Sequence, residues 1–231
     1  MHRLKYIIFP AALAALSLFL FACAGTGEPS PDAQTYNQVQ EEKQALLEKT
    51  FSDMQAAIAR HVPPETLWTF ITDSSRYWMD TLENVAKYSP AADVEQRQFC
   101  EILAVITYRL YDRERLWKVP DNRMLNLLTG EAGFIQRAAS LKLGPFMVRN
   151  DRGSVGLASS PNVPVLLFTW DDAHWKLDMV ASFPLVTKGL ETIGVKKNWS
   201  NSKLALYLLD KQYHYQYLNL DETLLDPVPS R

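Results

Sequence analysis

Apolar residues recur at helical spacing through the first half of the chain. Over residues 36–60 they stand three or four positions apart, which predicts a helix. Proline and acidic or capping residues then mark two further helix starts, which predict helices over 63–88 and from 90 to about 117. Asp121 is expected to cap a short helix that ends near Gly130. The first half is therefore predicted to be helical.

The spacing changes from helical to alternating after Gly133. Residues 146–149 and 154–158 form two short apolar segments around a turn, and residues 164–170 and 175–180 form a second pair. In the last segment Trp175, Leu177 and Met179 share one face, and Lys176 and Asp178 share the other. These patterns predict two hairpins of an antiparallel sheet.

The remaining segments are predicted to be helical again, over 184–193 and from Asn201 to about residue 211. The predicted fold class is therefore α+β. N-terminal helices pack on an antiparallel, curved sheet of residues 145–181, and a C-terminal helical region follows. The segment 227–231, with two prolines, is expected to be a loose tail.

The first 23 residues have the pattern of a secretory signal. A basic start with Arg3 and Lys5 is followed by an apolar stretch from Tyr6 to Ala22 and then by Cys23. The stretch is slightly shorter than the roughly 20 apolar residues of a membrane-spanning helix and contains Pro10. A cleaved signal is therefore favoured over a permanent span.

The four residues Leu20-Phe21-Ala22-Cys23 resemble the lipobox of bacterial lipoprotein precursors. Phe21 departs from the family pattern, in which this position is usually smaller. The resemblance implies cleavage between Ala22 and Cys23 and acylation of Cys23, and hence an envelope protein anchored by lipid. Because residue 24 is Ala and not Asp, it also implies the periplasmic face of the outer membrane if the organism is Gram-negative.

The signal divides the chain into four predicted parts. Residues 1–22 are the signal peptide, residues 23–35 a lipidated Cys with a flexible Gly-, Ser- and Pro-rich tether, residues 36–226 a single globular domain, and residues 227–231 the tail.

Composition narrows the classes of function for the domain. Hydrophobic residues make up 47% of the chain, which is typical of a globular protein. Loss of the signal leaves 22 basic and 26 acidic residues, a net charge of about −4. A concentrated basic face is the usual sign of nucleic-acid binding, so nucleic acid is not expected as a partner. With Cys23 acylated, Cys100 has no disulfide partner and is expected to be a small core residue.

Candidate chemistry is sparse. No pair of His, Cys or Glu has a zinc-binding spacing, so neither a metal nor a cofactor is expected. Asp171, Asp172, His174 and Asp178 are close together at a predicted turn and are interpreted as solvated turn formers. His174 and Asp178 remain the candidate catalytic residues if the domain is an enzyme.

Charged and aromatic residues supply the other candidates. The run Arg109, Asp112, Arg113, Glu114 and Arg115 is interpreted as a solvated helix face. Trp78, Tyr108, Trp170 and Trp175 are candidate ligand-pocket residues, because Trp and Tyr combine apolar area with a polar group.

Helices followed by an antiparallel meander that ends in Trp175-Lys176-Leu177-Asp178 resemble the cone-shaped domain of the nuclear transport factor 2-like superfamily. The resemblance covers about residues 36–181 and implies a pocket between helices and sheet. We expect a non-enzymatic, lipid-anchored protein that binds a partner protein or a small apolar ligand at the membrane surface. The alternatives are a cone-fold enzyme of isomerase or hydrolase type, and a structural accessory of an envelope complex.

Overall fold

The computed structural model describes residues 31–60, 62–118, 123–131, 141–213, 218 and 220–228. The helices are α1 (Pro31–Ala59), α2 (Pro64–Trp68), α3 (Asp73–Tyr88), α4 (Ala91–Glu95), α5 (Phe99–Arg113), α6 (Met124–Asn126, continued by a π-helical turn over Leu127–Glu131), α7 (Met179–Lys197) and α8 (Asn201–Tyr213), with a 3₁₀ helix over Glu222–Leu225. The strands are β1 (Leu143–Arg149), β2 (Arg152–Leu157), β3 (Ser160–Asp171) and β4 (His174–Leu177).

The order of elements confirms the predicted α+β class. The four strands form one antiparallel sheet in the order β1-β2-β3-β4, with helices before and after it. Residues 40–231 form one compact unit. Residues 1–39 form the other unit, of which residues 31–39 are described as the beginning of α1. That helix begins inside the segment predicted to be a tether. Among the described residues, no helix is both long and apolar enough to cross a membrane.

One face of the sheet carries the core residues, as the alternation predicted. Phe168 pairs with Leu177 and Trp170 with Trp175, and directly opposite residues of an antiparallel pair point to the same side. From residue 40 onward, α1 packs on this face. The ring of Phe51 lies 6.3 Å from that of Phe168, and the indole nitrogen of Trp175 donates to the Lys43 carbonyl at 2.8 Å.

The helix predicted over 63–88 is interrupted, and this part of the prediction is wrong. Ile71 lies beside Leu177 as a parallel bridge, with Leu177 N donating to Phe70 O at 2.7 Å and Thr72 N donating to Leu177 O at 3.1 Å. The Thr72 side chain then caps α3 by accepting from Ser75 N. Extended backbone is needed here to pair with β4, and a continuous helix cannot supply it.

The helix predicted from residue 90 to about 117 is also divided, at residues 96–98. Val94 and Phe99 are both fully buried. Five residues correspond to about 140° around a helix axis, so one continuous helix would direct these two side chains to different faces. The break allows both to enter the same core.

The sequence placed the start of the next helix too late, at Pro184. Helix α7 begins at Met179, and the Asp178 carboxylate caps it by accepting from Ala181 N at 3.0 Å. The Ser182 hydroxyl of α7 accepts from Leu167 N of β3 at 2.8 Å. Beyond the end of β4, strand β3 is therefore hydrogen-bonded to α7. The helix predicted from Asn201 is confirmed as α8. The predicted cap Asp121 and residues 229–231 of the predicted tail lie outside the described residues.

The charged residues near the end of α5 were predicted to form a solvated face, and for Arg109 this prediction is wrong. Its side chain is only 1% exposed. The guanidinium donates to five backbone carbonyls, those of Val85, Ala86, Ser89, Leu224 and Leu225. It therefore joins the end of α3 to the 3₁₀ helix near the C-terminus.

Candidate functional site

An apolar cleft of about 650 Å³ opens between the sheet and helices α5, α7 and α8. This volume lies within the range of small-molecule sites in proteins. Its described lining is Leu103, Leu141, Leu166, Leu177, Met179, Ser182, Phe183, Val186, Thr187, Leu190, Leu208, Leu209, Lys211 and Gln212. Ten of these fourteen side chains are aliphatic, aromatic or thioether groups, so the walls suit an apolar ligand.

The two hydroxyl groups in the wall are already hydrogen-bonded within the protein. The Ser182 hydroxyl donates to Asp178 O at 2.6 Å and accepts from Leu167 N. The Thr187 hydroxyl donates to Phe183 O at 3.0 Å, one turn back along α7. Because these groups are satisfied, the wall around them behaves as an apolar surface.

The other polar groups of the described lining belong to the last turn of α8. Lys211 and Gln212 are both exposed and line the cleft. The Lys211 ammonium lies 5.4 Å from the centre of the Tyr207 ring, and the described residues form no ion pair with it. The cleft thus combines apolar walls with one cation and one amide.

A second cavity of about 650 Å³ lies beside Arg109, next to the 3₁₀ helix. Its walls carry Lys87, Asp112, Arg113 and Asp226 among others. Burial lowers the pKa of Arg109 to about 10, and Asp226 acts in the opposite direction. The Arg109 guanidinium is already committed to backbone carbonyls, so this cavity offers a charged, internally paired surface.

The four aromatic candidates do not gather around one site. Tyr108 is buried beside Trp117, with ring centres 5.4 Å apart. Trp170 and Trp175 contact each other at 5.1 Å near α1. Trp78 contacts Phe183, a residue of the cleft wall, edge to face with ring centres 5.3 Å apart, and its indole donates to Glu101. Trp78 therefore supports the cleft from behind.

The two catalytic candidates are also apart. Asp178 is half-buried and serves as the cap of α7. His174 is exposed at the start of β4, opposite Asp171. Neither is among the residues that line the apolar cleft, and a catalytic role for them stays a prediction.

The thiol of Cys100 lies in the core, as the sequence predicts. Cys100 is 6% exposed. Burial raises its pKa to about 11, with Glu101 acting in the same direction. A thiol with such a pKa is a poor nucleophile at neutral pH. Within the described parts of the chain, no three His, Cys, Asp or Glu residues are placed to hold a metal ion.

The sequence did not identify the cleft, because its walls come from distant segments. Leu103, Leu166 and Leu208 are separated by more than 40 residues each, and each is an ordinary apolar position in its own element. The sequence carried one weak sign of a cleft. Helices α7 and α8 have apolar residues on more of their surface than core contact requires. Comparison of the chain with protein-family models, with curated proteins and with solved structures finds no match.

Proposed function

We propose that the chain is a bacterial envelope lipoprotein, anchored through acylated Cys23, whose domain binds a small apolar ligand in the cleft between the sheet and helices α7 and α8. The observation that carries the ligand proposal is the chemistry of the cleft. Its interior is apolar with satisfied hydroxyls, and a cation and an amide lie in the last turn of α8. A non-enzymatic role agrees with the positions of Asp178 and His174 outside this lining.

The size and lining of the cleft favour a ligand with one hydrocarbon chain. Each methylene transferred from water into apolar surroundings contributes about 0.8 kcal/mol, so eight methylenes contribute about 6 kcal/mol before the entropic costs of binding. Lys211 and Gln212 are placed to hold a polar or anionic end of such a molecule. A single-chain fatty acid or a similar amphiphile has both features.

The cleft is tested with a fluorescent fatty acid, cis-parinaric acid, titrated into the full chain in detergent-free phosphatidylcholine nanodiscs, with empty nanodiscs as the background for partitioning. Leu190→Trp adds bulk to the cleft wall and is expected to weaken binding at least tenfold. Ile193→Trp is the matched control, because Ile193 lies one turn further along α7, is 41% exposed and is not part of the lining. Equal binding by both variants and the wild type would refute the proposed site.

The role of Lys211 is tested with the variant Lys211→Met and two ligands of equal chain length, dodecanoate and dodecanol. Loss of the cation is expected to weaken dodecanoate binding about fivefold, since an exposed charge pair is worth up to about 1 kcal/mol. Dodecanol binding is expected to stay unchanged. An equal effect on both ligands would contradict a headgroup role for Lys211.

The anchor is tested by mass spectrometry of the membrane-extracted protein, wild type beside Cys23→Ala. Cleavage before residue 23 and added acyl mass on Cys23 are expected for the wild type alone. An unmodified Cys23 would overturn the lipoprotein proposal and leave the ligand titrations to stand by themselves.

A further inference from the structure

The second half of α7 and the whole of α8 carry a concentration of positive charge. Residues 188–213 contain five lysines and two acidic residues, a net charge of +3 in a chain whose total is −2. The lysines are exposed, whereas Glu191 and Asp210 are half-buried. The ion pairs of the described residues involve none of these five lysines.

Aromatic rings contact three of these lysines. The ammonium groups of Lys197 and Lys203 lie 4.8 and 5.4 Å from the centre of the Trp199 indole. The Trp199 ring contacts that of Tyr207 at 5.1 Å, and Tyr207 in turn contacts Lys211. We call these residues, with Val195 and Lys196, the basic aromatic patch.

Exposed apolar area completes the patch. Val195 is 80% exposed and Tyr207 is 39% exposed. Lysines around amphipathic rings, with an exposed aliphatic side chain in the adjoining last turn of α7, are a combination found where proteins meet the headgroup layer of a bilayer.

Helix stability alone does not explain the pattern. Lys196 and Lys197 lie in the last turn of α7, where a cation interacts favourably with the helix dipole. Lys203 lies in the first turn of α8, where a cation is unfavourable. The dipole also gives no reason for Val195 to be exposed.

We infer that the basic aromatic patch is a membrane-contacting surface that recognises anionic phospholipid headgroups. Its charge complements those lipids, and each lysine near such a surface strengthens association roughly fivefold. Lys211 belongs both to the patch and to the lining of the apolar cleft. Contact through the patch therefore places the Lys211 side of the cleft next to the headgroup layer of the bilayer. The inference concerns the surface only, and it does not depend on a ligand in the cleft.

The test places an environment-sensitive fluorophore on Val195→Cys in the full chain, reconstituted in vesicles. Val163→Cys is the matched control, an exposed valine of β3. Cys100 is buried with a raised pKa and should label poorly, and wild type labelled in parallel gives the background. With phosphatidylglycerol in phosphatidylcholine vesicles, the probe at 195 should shift to the blue and be quenched by nitroxide lipids, and salt should weaken both effects. The probe at 163 should stay in water.

Two double variants then test the charge. Lys196→Glu with Lys197→Glu should lower the docking equilibrium by roughly 30-fold or more, from the factor per lysine. Arg149→Glu with Arg152→Glu makes the same change in net charge on exposed positions of the sheet and should leave docking unchanged. The inference is overturned if the probe at 195 stays in water on anionic vesicles, which is also the outcome expected for a patch that binds only an acidic protein. It is equally overturned by an equal response to pure phosphatidylcholine, or by two double variants that behave alike.

Discussion

Arg109 offers the sharpest test of how this fold is held together. Among the described residues, its guanidinium donates to backbone carbonyls alone, at the end of α3 and in the 3₁₀ helix. The described residues show no ion pair for it. The variant Arg109→Met keeps most of the apolar stem and removes every donor, so it isolates the contribution of these hydrogen bonds.

The expected loss follows from the buried carbonyls. A buried polar group left without a partner costs about 1–3 kcal/mol, and removal of a buried charge recovers part of its desolvation penalty. Five carbonyls lose this donor, of which Val85 O keeps Ser89 N as a second donor, and part of the desolvation penalty is recovered. We therefore expect Arg109→Met to lower the free energy of unfolding by about 3 kcal/mol. Arg109→Lys keeps a charge and some of the donors, and about 2 kcal/mol is expected. Domains have total stabilities of about 5–15 kcal/mol, so either loss is easily measured.

Protonation does not complicate this comparison at neutral pH. Burial lowers the pKa of Arg109 in the folded protein from its ordinary value to about 10. The group is therefore charged in both the folded and the unfolded chain at pH 7. The desolvation penalty is fully present there and is relieved only as the pH rises above about 10.

Global stability is measured by urea denaturation. Opening of residues 222–226 is measured separately, by hydrogen exchange of the native protein. Arg76→Met is the control, because Arg76 lies in the first turn of α3 and pairs with Asp73 of the same turn, an exposed pair worth at most about 1 kcal/mol. Faster exchange near the C-terminus is expected for Arg109→Met alone. If Arg109→Met unfolds within 1 kcal/mol of the wild type, the guanidinium is not what holds this segment.

Two further predictions concern stability and reactivity. An added Cβ at Gly156 would lie 2.5–2.8 Å from three backbone carbonyl oxygens of β3, so Gly156→Ala should lose about 2–3 kcal/mol in urea denaturation. Gly189, in α7, has open space around it, and Gly189→Ala should gain about 0.5–1 kcal/mol; similar values for both would contradict the contact argument. Cys100, with its pKa raised to about 11, should resist iodoacetamide at pH 8 until the protein is denatured, and a mass increase of the native protein would contradict its burial.

Local patterns predicted much of the fold, because they report on contacts within one element. The alternation in residues 175–177 placed Trp175 and Leu177 on one face, and both are buried there. The spacing of apolar residues over 36–60 likewise predicted a helix, and Leu47, Phe51 and Met54 are buried along it. In each case the hydrophobic effect acts on a regular spacing that can be read from the sequence.

Features set by distant contacts could not be predicted in this way. The break after α2 depends on pairing between Ile71 and Leu177, more than 100 residues apart. The role of Arg109 depends on carbonyl groups, which every residue carries and which no sequence pattern distinguishes. The cleft is likewise formed where apolar faces of separate elements fail to fill the space between them.

The pairing of Ile71 with Leu177 has a consequence for how copies of this protein behave together. An open strand edge is a template for the strand of another molecule and thus for aggregation. The α2–α3 connection occupies the outer edge of β4 at this point. At the other edge of the described sheet, β1 contains Pro145, which has no N–H to donate, and an exposed Arg149. Both edges of the described sheet therefore disfavour pairing with a strand of another copy, which lowers the tendency of this protein to aggregate at high concentration.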